Sequence, residues 1–176
     1  MVLPVQFRTV TEGLLSGRFD LAVTVADELP AGMRRLPLLT GGFLCLFDPR
    51  CVRLPKRLSV ERYLAEEHVI VSYNGDLRGI VEDLLGLHRR VRISIPSFQS
   101  VAAAVSGTTL LATVPEIVTR DVRKTHPWLA TCELPFKLEG SPLELVWRGT
   151  QDNAGALRLV REHIAQIASR LGKAKA

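Results

Sequence analysis

A chain of 176 residues, 47% hydrophobic and 23% charged, is long enough for one large domain or two small lobes, and its balance excludes a disordered or low-complexity protein. The formal charge is +5, but the basic residues are scattered over Arg34 and Arg35, residues 53–57, 89–92 and 120–124, and the last helix. With aromatics at only 6% there are no stacking groups between them, so they read as an ordinary basic surface rather than a nucleic-acid footprint.

In chain order, residues 2–7 are compatible with a short strand. Residues 9–16 read as a helix, with Thr9 as candidate cap, Glu12 three residues on, and Gly17 placed to stop it. Residues 20–25 are a short, nearly all-apolar strand of the kind found in a buried parallel sheet. Residues 33–38 and 42–47 are two further strands, and Asp48-Pro49 then breaks the pattern at a candidate domain boundary. Ser59 caps a helix to residue 66, and residues 68–73 form a strand closed by an Asn74-Gly75 turn. Residues 77–87 read as a helix with Ile80, Leu84 and Leu87 on one face. Strands at 91–95 and 109–114 each run into a helix, at 97–106 and 115–124. Short strands follow at 131–134 and 143–147. The last helix, 152–171, carries Leu157, Val160, Ile164, Ile167 and Leu171 at alternating spacings of three and four. Such a seam packs on a sheet or pairs with another helix; the helix is short for a coiled coil, which favours the sheet.

This alternation argues for an open, mostly parallel α/β sheet. The middle of the chain can form its own small sheet while the outer parts pair with each other. That gives a first lobe of residues 1–48 with 138–176 and a second of 49–137, with crossings near 48–52 and 134–138.

Ligands of open α/β sheets bind at the carboxyl ends of strands. At one such end Pro96 precedes Ser97-Phe98-Gln99-Ser100 and an Ala/Val helix. Helix-start amides without intrahelical partners favour an anion such as a carboxylate, with Phe98 and Gln99 as flanking apolar and amide contacts. Capping alone would also explain Ser97. Thr113, before Pro115, can cap or face a pocket. Ser72 and Asn74 end their strand and are pocket candidates, whereas His68 at its start is more often structural. Three cysteines, Cys45, Cys51 and Cys132, fit no metal spacing, and their odd number with no signal-peptide pattern points to a reducing cytoplasm. There is no Gly-x-Ser-x-Gly elbow, phosphate loop or dinucleotide fingerprint, and four histidines match no zinc spacing. Asp20, Ser97 and His68 can be imagined as a triad, but any α/β protein of this size offers such a trio. Neither a cofactor nor a metal is expected, and no apolar run reaches membrane-spanning length.

Several segments together resemble the effector-binding domain of LysR-type transcriptional regulators. Leu14-Leu-Ser-Gly-Arg-Phe-Asp-Leu-Ala-Val23 is similar to the family's helix-to-strand signature, Met33-Arg-Arg-Leu-Pro-Leu38 to the strand after it, and residues 43–49 to the strand that exits the first lobe. Residues 91–97 and 110–116, Leu134-Pro-Phe136 and Leu145-Val-Trp147 continue in the family's order. The resemblance implies a two-lobed α/β fold like that of type 2 periplasmic binding proteins, with a small effector, an aromatic or aliphatic carboxylate, in the inter-lobe cleft. It implies a cytoplasmic homodimer or tetramer that is not an enzyme. Carried onto this chain, the cleft positions are Ser97, Phe98, Ser72, Asn74 and Thr113, and His68 matches a position that approaches the effector in some relatives. The family's helix-turn-helix and linker helix have no counterpart here, nor do the first strand and helix of the first lobe. The first lobe is therefore expected to be incomplete at its N-terminus, with DNA reached only through a domain outside this chain. The tail after Trp147 also departs from the family pattern. A solute-binding protein of the same fold and a small α/β enzyme are the competing readings.

Overall fold

The structure is a computed structural model that describes residues 1–3, 9–26, 28–72 and 76–173. The strand expected at 2–7 and the Asn74 turn fall outside these residues, wholly or in large part. The described chain separates into two compact units: residues 1–40 with 141–176, and residues 41–140.

In the first unit, α1 (Val10–Leu15) leads into β1 (Leu21–Val25) and β2 (Met33–Leu39). The chain returns as β8 (Leu143–Arg148) and ends in α6 (Gly155–Lys173). The sheet order is β1-β8-β2, and β8 is antiparallel to both neighbours, with Leu145 opposite Val23 on one side and Leu36 on the other. As the central strand, β8 buries both Leu145 and Val146 completely. On one face Val10 and Leu14 of α1 pack on Val146. Gly17, at φ +74°, ends α1 in the left-handed region that a side chain disfavours. Thr9 supplies no side-chain cap to α1.

In the second unit the order is β5-β4-β6-β3-β7, formed by β3 (Phe43–Phe47), β4 (Glu67–Val71), β5 (Arg90–Ile95), β6 (Leu111–Pro115) and β7 (Ala130–Glu133). β4 is parallel to β5 and β6, and β3 is antiparallel to β6 and β7. One face buries Val69, Ala112 and Val114 beneath α4 (Val101–Val105) and α5 (Glu116–Thr125). The other buries Cys45, Phe47 and Leu111 beneath Tyr63 of α2 (Val60–Ala65). Ser59 caps α2 as expected, accepting from Arg62 N at 3.2 Å.

Several expectations change. Rather than one mostly parallel sheet there is an antiparallel sheet in the first unit, because the returning strand inserts between β1 and β2, and a mixed sheet in the second, because β3 runs against its neighbours. β3 pairs with β6 and β7, so the first crossing precedes it, between Thr40 and Gly41 rather than near 48–52; the second lies between Gly140 and Ser141. The helix expected over 77–87 is only α3 (Ile80–Leu85), stopped by Gly86 at φ +63°. Val81 is its buried apolar residue, while Leu84 is exposed. The helix expected over 97–106 begins as a 3-10 turn, Phe98–Ser100, before the single turn and a half of α4.

The seam of α6 packs on the sheet only in part: the helix lies against β2, and Leu157 and Ile164 are half-buried. Val160, Ile167 and Leu171 are 43–46% exposed, and the buried positions are Arg161 and Ala168. The helix is rotated so that the Arg161 stem and guanidinium fill the space over Trp147, 4.9 Å from its ring, and donate to the carbonyls of Gln151 and Asp152.

This burial pattern predicts a contrast. Leu145→Ala costs about 2–5 kcal/mol in urea unfolding. Ile167→Ala, half in solvent, costs less than about 1 kcal/mol.

Candidate functional site

The parallel strands β5, β4 and β6 end together at one edge of the second unit. Val71 is in register with Ile95, and Ser72 N donates to Ile95 O at 3.0 Å, which sets Ser72 beside the Ile95-Pro96-Ser97 exit of β5. On the other side β6 ends at Pro115, and Glu116 N donates to Gly42 O at 3.0 Å. Gly42 also bridges Glu139, so the two ends of the unit close this edge.

Of the residues singled out in the sequence, Ser72 and Ser97 both stand at this edge, on the ends of neighbouring strands, and Ser72 is buried. Ser97 is extended, and its Oγ accepts from Gln99 N at 3.1 Å. Capping therefore occupies its acceptor side and leaves its hydroxyl proton to donate elsewhere. Ser72 Oγ donates to Asp76 Oδ1, so this hydroxyl is left to accept. Gln99 is exposed, whereas Phe98 packs against the core beneath α4. Asn74 lies outside the described residues. Thr113 is buried, its hydroxyl hydrogen-bonded to Tyr63 Oη. His68 is not brought to this edge. It sits four residues before Ser72, about 13 Å along an extended strand, and is fully buried.

His68 and Thr113 instead belong to a buried polar network on the α2 face, which the sequence reading missed. Its centre is the ion pair of Glu82 and Arg89, both almost wholly buried, with two hydrogen bonds of 2.7 and 2.6 Å between carboxylate and guanidinium. Glu82 also accepts from Gly79 N at 2.8 Å, capping α3. Arg89 reaches Tyr63 Oη at 3.4 Å. Burial opposes the charge on both partners, but the pairing outweighs it, lowering the Glu82 pKa and raising that of Arg89. His68 Nε2 donates to Tyr63 O at 2.8 Å, and the imidazole lies against the Tyr63 ring at 4.5 Å. Burial, helped by the Arg89 charge, lowers its pKa from 6.5 to about 4. Arg89 had read as part of the basic surface run 89–92. The available signal was Glu82, which stands three residues after the helix-opening Gly79 at the position of a capping-box acid.

Among the described residues no group of three or more His, Cys, Asp or Glu could hold a metal ion, and no helix is long and apolar enough to cross a membrane. Residues 3–169 match the LysR substrate binding domain family. The chain belongs to that family. It is 33% identical over 164 residues to Nodulation protein D 1 of Mesorhizobium japonicum, an alignment covering 91% of this chain and 52% of the relative. It is 30% identical over 135 residues to the HTH-type transcriptional activator NagR of a Ralstonia species, covering 74% of this chain and 41% of that protein. The regulatory domain of MexT, a transcriptional activator in Pseudomonas aeruginosa, superposes with a TM-score of 0.76 at 30% identity, covering 89% of this chain and 76% of the other. The chain spans about half the length of the curated relatives it matches. The two-sheet α/β architecture is that of LysR regulatory domains, as the resemblance implied.

The buried histidine gives this LysR-type domain a defined pH response. Its folded pKa, about 4, lies below its unfolded value of 6.5, so the unfolded chain binds the proton first as pH falls. Stability is thus full above pH 6.5 and falls between about 6.5 and 4, by an amount on the order of 3 kcal/mol. Urea unfolding across this range measures the slope, His68→Gln flattens it, and NMR of the imidazole gives a midpoint near 4.

Proposed function

We propose that this domain senses a small carboxylate-bearing effector at the carboxyl edge of β4, β5 and β6. The observation that supports this reading is the hydrogen bond from Ser72 N to Ile95 O, which puts the end of β4 next to the exit of β5 that leads, two residues on, to Ser97. Ser97, with its acceptor side on Gln99 N, donates to a carboxylate oxygen; Ser72, with its proton on Asp76, accepts an N–H or O–H of the effector. Gln99 flanks the molecule, and Asn74, outside the described residues, is a further candidate contact. Phe98, Thr113 and His68 act from beneath by holding the edge in place. NagR and MexT are transcriptional activators, and a sensor fits this pairing better than a catalyst, because the hydroxyls at the edge are engaged as hydrogen-bonding groups and the fully buried His68 lies too far away to serve them as a base. Within a longer cytoplasmic regulator, assembled as a homodimer or tetramer, effector binding here biases a DNA-binding domain that lies outside this chain. That coupling is reciprocal: DNA binding changes effector affinity by the same factor.

Thermal unfolding against a panel of aromatic and aliphatic carboxylates tests the site. A true effector present at about a hundred times its dissociation constant stabilises the fold by roughly 2.7 kcal/mol. Losing one charge-assisted hydrogen bond in Ser97→Ala weakens binding about tenfold or more. A folded domain that no carboxylate stabilises, or an affinity unchanged in Ser97→Ala, contradicts the proposal.

A further inference from the structure

Cys45 and Cys132 stand directly opposite each other across the antiparallel pair β3–β7. Side chains at paired positions share one face of a sheet, and both thiols belong to the apolar cluster around Tyr63, Phe47 and Leu111. Directly opposed residues of an antiparallel pair have Cα atoms about 4.5 or 5.5 Å apart, according to their place in the hydrogen-bond ladder. Both separations lie within the roughly 4.4–6.8 Å that a disulfide spans. The backbone spacing of this pair is therefore compatible with a disulfide. The two positions differ in access. β7 is the edge strand and Cys132 is partly exposed, whereas Cys45 on β3 is completely buried.

We propose that Cys132 and Cys45 form an oxidation site that closes to an intramolecular disulfide, with Cys132 the thiol that meets a peroxide and Cys45 the thiol that resolves it. The hydrogen bond between the two thiols lowers the Cys132 pKa and raises that of Cys45, and burial raises Cys45 further, so the accessible sulfur is also the more acidic one. In the first step the Cys132 thiolate attacks one oxygen of hydrogen peroxide. The O–O bond breaks, the departing hydroxide leaves as water with the thiol's proton, and Cys132 becomes a sulfenic acid. In the second step Cys45 Sγ attacks Cys132 Sγ, the S–O bond breaks, and the hydroxyl leaves as water with the Cys45 proton. Two thiols lose two electrons and one peroxide becomes two waters. The bond staples β7 to β3, the strand that opens the second unit just after the Gly41 crossing. Cys51 is exposed in the turn after β3 and takes no part.

The experiment uses Cys51→Ser protein, which keeps only the two sulfurs in question. Treated with hydrogen peroxide while folded, it loses the mass of two hydrogen atoms. Unreduced peptide mapping joins the Cys45 and Cys132 peptides, and a dithiol reductant restores the original mass. With Cys45→Ser added, Cys132 stops at the sulfenic acid and is trapped by dimedone. Three results overturn the proposal: both thiols unchanged by peroxide, Cys132 driven to sulfinic or sulfonic acid while Cys45 stays a free thiol, or dimedone captured on Cys45 instead.

Discussion

The second unit depends on one buried ion pair. Glu82 and Arg89 are almost removed from water, and each is held by more than the other: Glu82 by the amide that opens α3, Arg89 by Tyr63. Burying two charges is tolerable only with this degree of saturation, because an unpaired partner left behind costs about 3–5 kcal/mol. The pair ties α2, α3 and the entry to β5 into one body, and Tyr63 extends it to Thr113 on β6. The proposed effector edge inherits its shape from this body. Ser72 is fixed to β5 on one side of residues 73–75, and Gly79 is fixed to Glu82 on the other.

This arrangement divides the polar residues of the unit into two groups with different work. On the α2 face, the Tyr63 and Thr113 hydroxyls, the Glu82 carboxylate and the Arg89 guanidinium bond one another in the interior, while His68 bonds the Tyr63 carbonyl through Nε2 and leaves its buried Nδ1 without a partner among the described residues. At the carboxyl edge, Ser72 and Ser97 each spend one side of their hydroxyl on the protein and keep the other. A sensor needs both. In the proposed site the interior network holds the edge in one geometry, and the unspent hydrogen-bonding capacity is what a ligand would use.

Much of this was legible in the sequence where a local rule governs. Ser59 caps its helix, Gly17 adopts the left-handed turn that stops one, and the Ile95-Pro96-Ser97 and Val114-Pro115 junctions mark strand ends at which a helix or turn begins. Long-range pairing was not legible. Nothing in residues 43–47 says that they pair with strands 66 to 89 residues away, so the first unit boundary was placed too late. Arg89 looked like its neighbours Arg90 and Arg92, which do face solvent, because burial of a guanidinium depends on where Glu82 and Tyr63 stand in space. The spacing of apolar residues in α6 was read as a seam, but periodicity does not say how far the seam is covered, and it is Arg161, outside the seam, that lies over Trp147. His68 and Thr113 were found as polar residues on sheet strands, yet their hydrogen-bond partners, Tyr63 O and Oη, lie on another element.

The central claim is that the effector meets the carboxyl edge of the parallel strands. Amide chemical-shift mapping of the labelled domain, titrated with the carboxylate that stabilises it most, tests this directly. The account predicts that the saturable shifts concentrate at Ser72, Ser97, Gln99 and Glu116 while the amides of α6 stay in place. Saturable shifts centred on α6 and Trp147, with the edge unmoved, would contradict it.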